Sequence, residues 1–217
     1  MVLSGRFEME VPENDFIAKF VQDNKLEWEF WWRCDLDHLY IPGTSIVDVG
    51  GNMGWNALVF SEYGPVHTYE PLYHSWLATN CSKNILKNTV VVYPYGLSST
   101  NGECKIFIPP TETCNNNGLA SMNKSFWNGH ETIVPIARLD DVYTGGPFSI
   151  MKIDVEQHEL EVLTGAEQLI NRYKPVIFIE IFNYFENPCV AFLHRMGYSK
   201  VLQRPHDNYV FIYRDER

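Results

Sequence analysis

The chain has 217 residues, 45% of them hydrophobic and 20% charged, which excludes an intrinsically disordered protein and suits one well-filled core. Its net charge of -10, with 17 scattered Lys and Arg residues, argues against a nucleic-acid partner. Cys34, Cys81, Cys104, Cys114 and Cys189 form no C-x-x-C pair and leave one over, pointing to free thiols in a reducing compartment.

The first residues lack a basic stretch followed by an apolar one, and no run approaches the roughly 18 apolar residues of a spanning helix. A cytoplasmic protein without a membrane segment is expected. Residues 1–44 follow no strand–helix rhythm and carry Trp28, Trp31 and Trp32 beside Glu27 and Glu29. Beyond them the rhythm is regular. Ile46–Val49 reads as a buried strand, Trp55–Ser61 as a helix, Val66–Tyr69 as a strand, Tyr73–Asn84 as a helix and Val90–Tyr93 as a strand. Residues 96–130 are rich in Asn, Ser, Thr and Gly, with Cys104–Ile108 as an extra strand. Phe148–Val155 is the next strand. Glu159–Ile170 reads as one helix, with Leu160, Leu163, Ala166, Leu169 and Ile170 on a single face. Val176–Ile181, a helix over Pro188–Met196, and an antiparallel pair at Lys200–Leu202 and Tyr209–Tyr213 complete the series. This alternation predicts an α/β, doubly wound, mostly parallel sheet. One domain is expected over 1–217, with 1–44 as an extension on the substrate side.

The segment Ser45-Ile-Val-Asp-Val-Gly-Gly-Asn-Met-Gly54 carries the strongest local signal. An apolar run ends in Asp48 and a glycine turn, as where an open α/β sheet meets a nucleotide-like cofactor. The spacing of Gly50, Gly51 and Gly54 fits neither G-x-G-x-x-G nor a G-K-[ST] phosphate loop. Glu70 ends the following strand, where a carboxylate can accept hydrogen bonds from both hydroxyls of a ribose. The loop has no basic residue to meet a pyrophosphate. A cofactor without phosphate and with positive charge suits it, and S-adenosylmethionine meets that description.

A second constellation lies in Met151-Lys-Ile-Asp-Val-Glu-Gln-His-Glu159, at the carboxyl end of a strand. Asp154 follows apolar residues. Glu156 and Glu159 read equally as acids of a helix's first turn. Glu180 closes the next strand, with Asn183 three positions later. Asp154, Glu180 and Asn183 could hold a divalent cation, Mg2+ or Mn2+, that assists deprotonation of an alcohol. His158 is the other base open to the reaction, or a surface histidine at a helix start.

Together these blocks resemble the FkbM family of class I, S-adenosylmethionine-dependent O-methyltransferases. The pieces are Val47–Gly54, Val66–Pro71, Arg138-Leu-Asp-Asp-Val142, Lys152–Ala166 and Pro175–Glu180. The chain also looks like the methyltransferase portion of large viral or microbial glycan-building proteins. The family resemblance implies a seven-stranded, Rossmann-like sheet with a reversed last strand. It places Asp48, Gly50, Gly51, Asn52 and Gly54 around the cofactor's methionine part, and Glu70 on its ribose. It sets Asp154, Glu156 and Glu180 beside the transferred methyl. Two departures stand out: Gln157 replaces the family's usual glycine, and His158 stands where a small residue is common.

The expected reaction is methyl transfer to a hydroxyl of a sugar or glycan, by Asp154, Glu156, His158 and Glu180. Phe30, Trp31, Trp32 and Tyr40, with part of 109–130, read as an aromatic substrate wall or as core or dimer contact. Competing readings are a metal-dependent glycosyltransferase using Asp140 and Asp141 or Asp154 and Glu156, and a non-catalytic cofactor- or glycan-binding module. A small-molecule or glycan acceptor is the expected partner, in a homo-oligomer or a larger glycan-synthesis protein.

Overall fold

The computed structural model describes residues 1–109, 119–122 and 130–214. The chain opens with a hairpin, β1 (Val2–Ser4) and β2 (Phe7–Met9), and helices α1 (Phe16–Asn24) and α2 (Trp31–Leu39). Next come β3 (Ser45–Val49), α3 (Trp55–Phe60), β4 (Val66–Tyr69), α4 (His74–Lys83) and β5 (Val90–Tyr93). Strands β6 (Gly96–Leu97), β7 (Gly102–Ile108) and β8 (His130–Ala137) form a separate three-stranded sheet. The chain continues through α5 (Leu139–Val142), β9 (Phe148–Ile153), α6 (Glu159–Gly165), α7 (Glu167–Tyr173), β10 (Val176–Glu180), α8 (Pro188–Arg195), β11 (Tyr198–Gln203) and β12 (Asn208–Tyr213).

The main sheet has seven strands in the order β11–β12–β10–β9–β3–β4–β5. Its pairs from β5 to β10 are parallel, and β12 runs antiparallel to both neighbours. This is the expected topology, reversed last strand included. Every residue of β3 and β9 is buried, because each face of the sheet meets its own apolar cluster. That two-sided burial explains why these strands read as apolar runs without alternation.

The N-terminal segment covers one face. Trp32 stacks on Phe178 of β10 with ring centroids 4.4 Å apart and planes 6° from parallel. The Arg204 guanidinium donates to both Asp35 carboxylate oxygens, at 2.8 and 2.5 Å, tying α2 to the far edge of the sheet.

Two expectations on local structure change. The helix foreseen over Glu159–Ile170 is two helices. A Cβ on Gly165 would lie 2.0 Å from the Ser98 carbonyl oxygen, so the chain presses against the backbone after β6 and steps at Ala166. Strand β9 ends at Ile153, and 154–158 turn into the site. Strand β8 has no counterpart among the sequence expectations, and β7 extends the foreseen Cys104–Ile108. Cys34, Cys81, Cys104 and Cys189 are free thiols, while Cys114 lies outside the described residues. No helix among the described residues is long and apolar enough to cross a membrane.

Candidate active site

Strand alternation and register place a polar row on one face of the sheet. Asp48 pairs with Thr68 on β4 and with Lys152 on β9, and Lys152 pairs with Phe178 on β10. Thr68 Oγ1 donates to Asp48 Oδ2 at 2.9 Å. Lys152, 2% exposed, donates through Nζ to Asp154 Oδ2 at 2.9 Å and lies 3.7 Å from Glu29 Oε2. Glu29 also accepts hydrogen bonds from Trp32 Nε1, Asn56 Nδ2 and Asn208 Nδ2. Burial pushes the Asp48 carboxyl up to about 6, against the pull of Lys152 and Thr68.

The glycine loop folds over this row. Gly50 has φ 81°, and a Cβ there would lie 1.8 Å from the Asp154 carbonyl oxygen, so no other residue fits. Asn52 N–H donates to Glu70 Oε2 at 2.9 Å, while Leu72 and Tyr73 N–H groups donate to Oε1 at 2.7 and 3.0 Å. The strand-end carboxylate thereby fixes both the loop and the turn after β4. Burial pushes Glu70 up to about 7, with those three N–H groups opposing.

On the other side, Glu156 and Gln157 are both left-handed, with φ 52° and 72°. Gln157 N–H donates to Glu159 Oε1 at 2.9 Å, and Ser121 Oγ donates to the Glu156 carbonyl. Glu159 thus serves the turn, as the helix-start reading has it. One carboxylate oxygen from each of Asp154, Glu156 and Glu180 lies within 4.8 Å of the others. Burial, then the neighbouring Asp154, pushes Glu156 up to about 8 and Glu180 up to about 10. Glu180 Oε2 is buried without a hydrogen-bond partner among the described residues. His158 Nε2 lies 2.9 Å from Ser98 Oγ and its Nδ1 3.7 Å from Glu161 Oε2. Against the opposing pull of Glu161, burial holds this imidazole below its ordinary pKa and so favours its neutral form.

A cavity of about 240 Å3 joins the two constellations, with Gly50, Gly51, Asn52 and Glu70 in one wall and Asp154, Glu156, His158 and Glu180 in the other. It opens at the carboxyl ends of β3, β4, β9 and β10, where the strand order reverses. Residues 48–200 match the methyltransferase FkbM domain. The chain belongs to the FkbM methyltransferase family.

This FkbM chain is 31% identical over 133 residues to the hexuronic acid methyltransferase AglP of Haloferax volcanii. The alignment covers 60% of the chain and 53% of that relative, so the chain spans about half the length of the curated relative it matches. Among solved structures it resembles a methyltransferase FkbM from Methylobacillus flagellatus KT, with a TM-score of 0.54 and 16% identity. That likeness covers 82% of this chain and 45% of the other. It also resembles a precorrin 8w decarboxylase from Methanobacterium thermoautotrophicum, with a TM-score of 0.52 and 14% identity over 98% of each chain. These two likenesses support the fold.

Several residues of the FkbM chain stand elsewhere than their expected roles suggest. Asp48 is fully buried beneath the loop, and Gly54, at φ 96°, starts α3 against Leu77; neither is among the cavity walls. Asn183 lines a separate groove with Gln157 and Glu159, while the Glu156 carboxylate lies beside those of Asp154 and Glu180. Trp32 is core and Tyr40 hydroxyl bonds the Thr44 carbonyl, while Trp28 lines the cavity instead. Most of 109–130 lies outside the described residues. Asp140 accepts the Gln168 and Leu169 N–H groups at the start of α7, a capping role. Lys152 and Glu29 were not foreseen as site residues. A lysine among Ile150, Met151 and Ile153 was the available signal for the first, since a buried strand carries a charge only with a partner. Glu29 gave no such signal.

Proposed function

We propose that this chain transfers a methyl group from S-adenosylmethionine to a hydroxyl of a sugar or glycan. The observation that carries the reading is one cavity lined both by Glu70 and the glycine loop and by Asp154, Glu156, His158 and Glu180. The donor set fits the cofactor. Glu70 Oε2 keeps one lone pair for a ribose hydroxyl after three backbone hydrogen bonds to the carboxylate. The cavity walls among the described residues hold five carboxylates, those of Glu29, Glu70, Asp154, Glu156 and Glu180, which favour a positively charged ligand.

S-adenosylmethionine, when bound, supplies an electrophilic methyl group on a sulfonium. The chain's own residues bind, orient and move a proton. The backbone of Gly50–Asn52 and the Glu70 carboxylate hold the donor end. Asp154, fixed by Lys152, and the Glu156–Glu180 pair face the acceptor. His158, neutral and oriented by Ser98, takes the hydroxyl proton. Alignment and exclusion of water supply the remaining acceleration. The relative named for hexuronic acid supports a sugar acceptor.

Asp154, Glu156 and Glu180 would hold a divalent cation. Hard carboxylate oxygens at this spacing suit Mg2+ or Mn2+, and the unpartnered Glu180 Oε2 gives that site a ready ligand. Such an ion, when bound, supplies Lewis acidity beside the acceptor. The free cysteines support a reducing, cytoplasmic setting.

Titration calorimetry with S-adenosylmethionine on the wild type and Glu70→Ala tests the cofactor, and absence of wild-type binding refutes it. Transfer of a labelled methyl to a panel of sugars, with and without EDTA, then tests the acceptor class and the metal. Undiminished transfer after chelation removes the cation from the mechanism.

A further inference from the structure

Part of the cavity is walled by residues that flank the family-matched segment. Ile17, Trp28 and Glu29 precede residue 48, and His206 and Asn208 follow residue 200. Glu29 ties these flanks together. Its Oε2 accepts from Asn56 at 2.6 Å and its Oε1 from Asn208 at 3.2 Å, and Asn208 is the register partner of Glu180. The flanking wall therefore adjoins the carboxylates that face the acceptor.

Two cavity side chains, Trp28 in that flank and Trp55 within residues 48–200, have the chemistry of a ligand contact. Trp28 is held edge-on by Phe20, with centroids 5.4 Å apart and planes at 89°, and by Phe16 at 6.5 Å. That packing fixes its ring at the cavity wall. Trp55, 3% exposed, also lines the cavity, and its Nε1–H has no hydrogen-bond partner among the described residues. A buried unpaired donor costs about 1–3 kcal/mol, which a ligand oxygen would recover.

Charge narrows the ligand. Among the described wall residues the one lysine or arginine is Lys152, and Asp154 and Glu29 already engage it. With no ion on Asp154, Glu156 and Glu180, a carboxylated ring placed beside them and Glu29 finds no uncommitted lysine or arginine among the described wall residues. We propose that this wall is the acceptor subsite and that it takes an uncharged pyranose. The sugar's C–H face lies on Trp28, and a sugar oxygen accepts from Trp55 Nε1–H. The inference rests on the methyl-transfer reading and adds a charge class. Acceptor choice then resides partly in Trp28 and Glu29, outside residues 48–200, so it can differ from that of the relative named for hexuronic acid.

Saturation-transfer NMR at pH 8, with S-adenosylhomocysteine present, tests it on matched pairs. The methyl glycosides of glucose, galactose and mannose are each compared with the uronate that differs at C6. The expected result is at least one neutral glycoside with a signal fivefold or more above its uronate. Trp28→Ala abolishes that signal, and Trp55→Phe, which deletes the N–H and keeps an aromatic ring, weakens it at least threefold. A uronate equal to or stronger than its neutral partner overturns the proposal. So does a neutral signal that survives Trp28→Ala, or no glycoside signal from a protein that binds S-adenosylhomocysteine. Glycoside binding without S-adenosylhomocysteine binding overturns the methyl-transfer reading and leaves the sugar subsite standing. Binding of neither ligand overturns both.

Discussion

Lys152 Nζ donates to Asp154 Oδ2 at 2.9 Å from a position 2% exposed to solvent. Burial alone would pull this lysine's pKa down. Asp154 first, then Glu29 and Asp48, outweigh it and hold the ammonium above its ordinary value. Lys152 is therefore a fixed counter-ion that aims Asp154 into the cavity and not a proton acceptor. Removing one partner from a buried ion cluster leaves uncompensated charge, at a cost of about 3–5 kcal/mol. Lys152→Met should lower stability by that order in urea unfolding. A loss below about 1 kcal/mol would show that the cluster does not need its cation.

Glu70 gives a pH dependence with a definite sign. Its carboxyl, ordinarily near 4.5, is pushed up to about 7 by burial, with Asp48 adding a smaller push and three N–H groups opposing. The folded protein without cofactor keeps this proton through that window, so the contribution of Glu70 to stability falls as pH rises from 4.5 to 7. Binding runs the other way, because a ribose hydroxyl donates to the free lone pair of the carboxylate. Affinity for S-adenosylmethionine should rise with pH up to about 7, by at most about tenfold per unit for one proton, and then level off. Calorimetry across pH 5.5–8 measures it, and Glu70→Gln should flatten the profile. A flat wild-type profile contradicts the role.

Gln157 occupies left-handed backbone at φ 72°, directly after Glu156 at φ 52°. A side chain in that region costs about 1–2 kcal/mol, which glycine avoids at some entropic cost of its own. Gln157→Gly should stabilise by about 1 kcal/mol and raise the melting point by roughly 2–4 °C. An unchanged or lower melting point means that the Gln157 side chain contributes contacts that offset the strain.

The three-carboxylate group makes a direct prediction for metal. Mn2+ should bind the wild type with a paramagnetic resonance signal distinct from the free ion. It should also raise the unfolding midpoint in proportion to RT ln(1 + [Mn]/Kd). Glu180→Gln should weaken binding at least tenfold. Equal binding by wild type and variant would place the ion elsewhere.

The sheet was largely legible from sequence because β3, β9 and β10 are packed on both faces and read as mainly apolar runs, interrupted by Asp48 and Lys152. The ends of those strands were legible too. Glu70, Asp154 and Glu180 each place an acid at the end of a strand, and three of the four residues expected to act on the acceptor share the carboxylate cluster. The break at Gly165 was not legible, since helical periodicity carries through it and the Ser98 carbonyl that forces the step lies 67 positions away in sequence. Likewise Trp28, Trp31 and Trp32 look alike in sequence. One lines the cavity and another stacks in the core.

Sequence by itself determined the succession of strands in the main sheet, the glycine loop and the acids at strand ends, because each is a local requirement on backbone or burial. Tertiary structure alone decided which carboxylates meet, that Glu156 lies beside Asp154 and Glu180, and that Glu29 joins Lys152 across more than 120 positions. The physical reason is register. Side chains from distant strands share a face only once pairing fixes it, and a charge on that face is stable only where another segment brings its partner.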